Sequence, residues 1–164
     1  MWGETVAIFA GAVTPSYAAA IQEAKAHYLT PRVEGKDIVI ANTFAKANEA
    51  FIGVNIAYPA VSREGGDVIL IANAPGGQVT HYLTGSFGTA SRSTLWRARR
   101  IPQYSNHLIL YTEYPDLAGR DWFEESDKLL SLHRWDDVHQ VLQESHGAGT
   151  KVAVYPNAEI QYCV

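Results

Sequence analysis

Four short runs, Thr5-Val6-Ala7-Ile8-Phe9-Ala10, Asp37-Ile38-Val39-Ile40-Ala41-Asn42, Asp67-Val68-Ile69-Leu70-Ile71-Ala72-Asn73 and His107-Leu108-Ile109-Leu110-Tyr111-Thr112, are apolar without a polar alternation. A strand with one wet face alternates apolar and polar side chains, whereas an uninterrupted apolar run suits a strand covered on both faces, the usual environment in a parallel sheet. Helical patterns separate the runs. Thr14-Pro15 offers a capping hydroxyl and a proline in the first turn of a helix reaching Tyr28, with Tyr17, Ala20, Ile21 and Ala24 at helical spacing. Lys46 to Tyr58 repeats the pattern through Ala47, Ala50, Phe51, Val54 and Ala57 until Pro59. Later, Lys128 to His133 reads as a weaker, edge-like strand. Trp135, Val138, Val141, Leu142 and Ser145 mark a helix that opens on Asp136 and Asp137 and stops at Gly147, and Lys151 to Pro156 is a last strand.

Strands joined through helices lie most simply in parallel with right-handed crossovers. The expected fold is therefore a three-layer Rossmann-like α/β domain with a mostly parallel sheet, spanning 1–164 as one domain. A chain of 164 residues with 47% hydrophobic residues suffices for one such core. The net charge of -4 gives no electrostatic case for nucleic acid or an anionic membrane as partner. One cysteine, Cys163, cannot form an internal disulfide, and no Cys/His spacing suggests a metal site. A reducing, cytoplasmic setting is the expectation.

In open parallel sheets ligands collect beyond the carboxyl ends of the strands, where helices begin. That rule selects three loops: 11–16, 42–49 and 73–88. The second holds Asn42, Thr43, Lys46, Asn48 and Glu49, a polar cluster with one cation, suited to a carboxylate or phosphate and equally to ordinary helix capping. The third holds Gln78, Thr80, His81 and Tyr82; His81 is a candidate proton-transfer group, although its neighbours could simply satisfy a half-buried imidazole. His139 and His146 stand two turns apart and read as a solvated face, and His27, His107 and His133 as structural. Arg92, Arg97, Arg99 and Arg100 form a basic cluster around Trp96, a solvated helix end or a dock for an acidic surface. No GxGxxG, GxxxxGK[ST] or GxSxG motif is present, which disfavours dinucleotide, P-loop and hydrolase chemistry.

From Val6 to Tyr155 the chain resembles the C-terminal domain of the lactate racemase-like, nickel-pincer family. The resemblance rests on Ile8-Phe9-Ala10-Gly11, Asp37 to Asn42, Gly65-Gly66-Asp67-Val68-Ile69-Leu70, Gln78 to Tyr82 and Lys151 to Pro156, in that order. It implies the substrate-side domain of a 2-hydroxy acid racemase or epimerase, not active alone. The nickel-pincer nucleotide would be held by a separate N-terminal domain or companion chain, this chain being a separate polypeptide or a fragment. The family's Tyr-Gln-x-x-Lys falls on Phe51, Ile52 and Asn55, so a hydroxyl, an amide and a cation are replaced, and Lys46 is left to supply charge to a carboxylate. The residues also allow two other readings: a stand-alone module for a small anionic ligand, and an interaction scaffold. The sequence leaves a homo-oligomer open.

Overall fold

The computed structural model describes residues 5–79, 90–91, 98–116 and 118–164, which fall into two compact units, 33–159 and 1–32 with 160–164. The larger unit carries a five-stranded, wholly parallel sheet of β2 (Ile38–Asn42), β3 (Asp67–Ile71), β4 (His107–Tyr111), β5 (Leu129–Leu132) and β6 (Val152–Tyr155). Their order across the sheet is β5-β4-β3-β2-β6. The fold is a Rossmann-like α/β arrangement, with helices over both faces of a parallel sheet.

Side chains alternate between the two faces, and the in-register pairs Val39↔Val68, Ile40↔Ile69 and Ile69↔Ile109 keep each row on one side. One face, with Val39, Ala41, Val68, Leu70 and Leu108, has no solvent exposure and packs under α2 (Val54–Ala60) and the 3-10 run Phe44–Gly53. The opposite face gathers Ile38, Ile69, Ile109 and Tyr111 beneath Val138 and Leu142 of α3 (Trp135–Ser145). Each buried Val, Leu or Ile of this kind contributes roughly 1.5–3 kcal/mol.

The segment predicted as one helix, Lys46 to Tyr58, is instead a 3-10 run followed by a short α-helix. Lys46 and Glu49 leave helical geometry inside that run (φ -136 and -127), so the backbone there lacks regular helical bonds. Gln78 compensates from the next crossover. Its Oε1 accepts from Ala50 N–H at 2.9 Å and its Nε2 donates to Ala47 C=O at 2.6 Å, while Val79 N–H donates to Asn48 C=O at 2.7 Å. A distant amide has thus overridden local helical periodicity.

The smaller unit holds α1 (Val13–Tyr28) and a two-stranded parallel pair, β1 (Leu29–Thr30) with β7 (Tyr162–Cys163). The helix matches its prediction, but it begins at Val13 behind Ala12 with no side-chain cap, so Thr14 is not the capping residue. Thr5 to Ala10 is not a strand. Val6, Ile8 and Phe9 are exposed, and the place beside β2 is filled by β6 through Ile38↔Val152. Among the described residues no helix is long and apolar enough to cross a membrane.

Candidate functional site

The carboxyl ends of β2 and β3 open onto a cleft of about 420 Å³, lined by residues 45–48 on one side and 74–79 on the other. Parallel strands 4.7–4.9 Å apart bring these two crossover loops together, which is why residues thirty positions apart face one another. Lys46 and Asn48 come from the kinked 3-10 run; Pro75, Gly76, Gly77 and Gln78 form the turn after β3. Gly77 has φ 74, a left-handed conformation that glycine adopts without strain, and a Cβ there would also meet Asp116 Oδ1 at 3.3 Å. A Cβ at Gly76 would meet nothing within 4 Å, so that side of the cleft is open.

The polar groups named from sequence fall into two sets. Lys46 and Asn48 line the cleft, and Glu49 Oε2 lies 2.8 Å from Lys46 Nζ. Two others are engaged within the protein: the buried Thr43 hydroxyl donates to Ile71 C=O, and Gln78 holds the loops as described; Asn42 is not in the cleft lining, and its main-chain carbonyl accepts from Ala158 N–H. Asn55 Oδ1 accepts from Arg99 at 2.8 Å, away from the cleft lining. Thr80, His81 and Tyr82 lie outside the described residues, as do Arg92, Trp96 and Arg97. Of the basic cluster, Arg99 packs over the Phe51 ring, itself stacked on Trp122, and Arg100 pairs with Glu124.

Glu159, which sequence reasoning did not single out, lies behind the cleft wall, bonded to the backbone of Lys46. Its Oε2 accepts from Lys46 N–H at 2.8 Å, and its Oε1 is buried with no hydrogen-bond partner. Burial pushes its carboxyl up to about 7, against the opposing pull of the Lys46 N–H and ammonium and with help from the negative charge of Glu49. Lys46 thus meets one carboxyl group through its ammonium, that of Glu49, and another through its backbone N–H, that of Glu159, which takes up a proton near neutrality. No motif marks Glu159; it reaches the site only because the chain leaves β6 beside β2.

A second, narrow pocket of about 20 Å³ lies past the ends of β3, β4 and β5, among Thr112, Asp116, Arg120, Ser131 and His133. That is room for one water molecule. Arg120 donates to Leu129 C=O and Ser131 Oγ, Asp116 accepts three backbone N–H groups, and His133 Nδ1 donates to Thr112 C=O. These bonds fix the loops around β4.

The opposite, amino end of the sheet holds a group missed from the sequence. Asp67, wholly buried, accepts from His107 Nδ1 at 2.8 Å and from His146 Nε2 at 2.6 Å. His146 is therefore no member of a solvated face: it follows α3 and turns into the sheet, and only 12% of its side chain is exposed. Register places Asp67 beside His107. No three His, Cys, Asp or Glu side chains among the described residues are arranged to hold a metal ion. Comparison of the chain with models of protein families and with curated proteins gives no match.

Proposed function

We propose that the 33–159 unit is a binding module for a small anion, a carboxylate or phosphate, seated in the cleft between the loops that follow β2 and β3. The observation that carries this reading is the placement of Lys46, half exposed, on the wall of a cleft at the carboxyl ends of parallel strands. The cleft volume suits a compact molecule. Glu159 tunes the site: when it takes up its proton, the cluster loses one negative charge and the Lys46 ammonium is freer to meet an anion.

Titration calorimetry of the whole chain with inorganic phosphate, lactate and a nucleoside monophosphate tests the reading. Binding of at least one, weakened by Lys46→Ala, supports it; no heat with any of them at about pH 6, where the protonated Glu159 favours an anion, would sink it.

A narrower reading is that this unit is the substrate-side domain of a lactate racemase-like protein, working with a separate domain that supplies the nickel-pincer nucleotide. Its support is the resemblance from Val6 to Tyr155 together with the Rossmann-like fold class. It requires that the chain be inert alone and turn over a 2-hydroxy acid when mixed with a loaded N-terminal domain. Racemisation by the chain alone would contradict it.

A further inference from the structure

We propose that Asp116 is the positioning residue of the cleft: it holds Gln78 from the β4 side and so keeps the loop after β3 in place for a ligand, a role that rests on the anion-binding reading of the cleft. Gln78 is where the two cleft walls meet. It lines the cleft, its side-chain amide grips Ala47 C=O and Ala50 N–H of the opposite wall, and the next residue, Val79, donates to Asn48 C=O. The width of the cleft is therefore set at one side chain, which is only as well placed as the backbone that carries it. Behind that backbone stands Asp116, in the loop that follows β4, whose Oδ1 accepts the Gln78 N–H at 3.2 Å. The carboxylate is itself held, because Oδ1 also accepts from Ala118 N–H at 3.1 Å and Oδ2 from Gly119 N–H at 3.0 Å. Hydrogen bonds to an ionised acceptor are stronger than neutral ones. Asp116 is absent from the cleft lining, so it acts on a ligand only through the loop.

Two glycines show how closely the carboxylate is seated against this loop. A Cβ at Gly77 would come within 3.3 Å of Asp116 Oδ1, and a Cβ at Gly119 within 2.5 Å of Oδ2 and 3.4 Å of Gln78 Cγ. Gly119 has φ -61, which any residue adopts, so its missing side chain leaves space for the clasp rather than freedom for the backbone. A wall that is ordered before its ligand arrives needs no ordering on binding. Gly76 and Gly77, which lose the most backbone freedom when they are fixed, make that saving large in this loop. The sign of the effect separates positioning from charge. Asp116 is an anion one residue behind the cleft wall, so by electrostatics alone its removal would strengthen the binding of an anion. As a clasp, its removal weakens it.

Titration calorimetry of the full chain with inorganic phosphate and with lactate, at about pH 6 where Glu159 holds its proton, tests the proposal together with hydrogen exchange. Asp116→Ala should weaken binding about tenfold, equivalent to ~1.4 kcal/mol. It should also speed exchange of the Gln78 and Val79 amides while those of Ile69 and Leu70 inside the sheet stay protected. Asp116→Asn loses the same charge but keeps an oxygen for the Gln78 N–H, so it should recover most of the affinity. Gly119→Ala, which pushes the carboxylate aside and changes no charge, should weaken binding in its turn. Val138→Ala opens a cavity under α3 on the far face of the sheet, so it should lower the urea midpoint and leave affinity unchanged. Equal or tighter binding by Asp116→Ala, unaltered exchange at Gln78 and Val79, or a matching loss of affinity in Val138→Ala would each overturn the role of Asp116 while the wild type still binds. A wild type that binds neither anion overturns the anion-binding reading and this role together.

Discussion

The two ends of the central sheet both concentrate acids and bases, and they use them in opposite ways. At the amino end Asp67 has no solvent exposure and each of its oxygens faces a histidine nitrogen within 2.8 Å. At the carboxyl end Glu159 has one oxygen held by a backbone N–H and one without a partner, beside a half-exposed lysine and an open cleft. Complete satisfaction makes a cluster a fastening, because every polar atom is spent on keeping neighbours in place. On the proposed reading, the ligand capacity of the carboxyl end lies in the half-exposed Lys46 of the cleft wall. The same residue chemistry thus takes two arrangements according to its position along parallel strands, and the proposed function assigns a ligand to only one of them.

Removing the Asp67 carboxylate should give the largest effect. Asp67→Ala strands His107 and His146 without their acceptor in a buried setting, at a cost of about 3 kcal/mol, read as a fall in the urea midpoint with unchanged slope. Asp67→Asn, which keeps one acceptor oxygen, should cost less. If Asp67→Ala unfolds no more easily than the wild type, the contrast between a fastened end and a working end collapses. Next comes Lys46→Ala, which should weaken anion binding by tenfold or more, about 1.4 kcal/mol, with little loss of stability. Gly76→Leu sharpens the same point without touching charge: it adds bulk where a Cβ meets nothing, so binding should fall while the fold holds.

How much of this could be seen in the amino-acid sequence differs between the same two ends. The strands were legible because β-branched runs such as Ile38-Val39-Ile40 declare burial on both faces whatever their neighbours are. The cleft was half legible: Lys46 and Asn48 follow from the rule that ligands gather beyond carboxyl ends. Glu159 was not, since nothing local says that the residues after β6 return to β2. The Asp67 cluster was hidden for a related reason. Asp67 and His107 each open a strand, so the strand order β3-β4 would have paired them, but that order is a tertiary fact. Thr5 to Ala10 failed as a strand in the converse way: its composition is right, but it joins neither sheet and its apolar side chains Val6, Ile8 and Phe9 stay exposed. Gln78, named as a binding residue, spends its amide on a backbone kink that helical periodicity does not reveal.

Glu159→Gln tests the working end through pH. The folded protein raises this carboxyl from its ordinary value to about 7, so the native state holds a proton that the unfolded chain releases earlier. Its contribution to stability is fully present below the ordinary glutamate range and is lost as pH rises through about 7. The wild type should therefore lose stability between mildly acid and mildly alkaline solution more than Glu159→Gln does, and its anion affinity should fall over the same interval by a few fold. A variant whose pH profiles for stability and affinity overlay those of the wild type would remove Glu159 from the site.

Glu49→Gln should have the smallest effect on the fold. Its pair with Lys46 is exposed and three residues apart along the chain, and such pairs contribute about 0.5 kcal/mol or less. Against the loss at Asp67→Ala, the stability change should be hard to measure. Its effect on binding is more informative, because two consequences oppose each other. Losing the carboxylate frees the Lys46 ammonium for an anion, and it also removes a negative charge that helps hold the Glu159 carboxyl high, so Glu159 ionises more readily. At about pH 5, where Glu159 keeps its proton in either protein, only the first consequence acts and affinity should rise; near pH 7 the second offsets it and the gain should shrink. An affinity gain that is the same at both pH values would mean that Glu49 and Glu159 do not sense one another, and that the carboxyl end is not the coupled cluster its geometry describes.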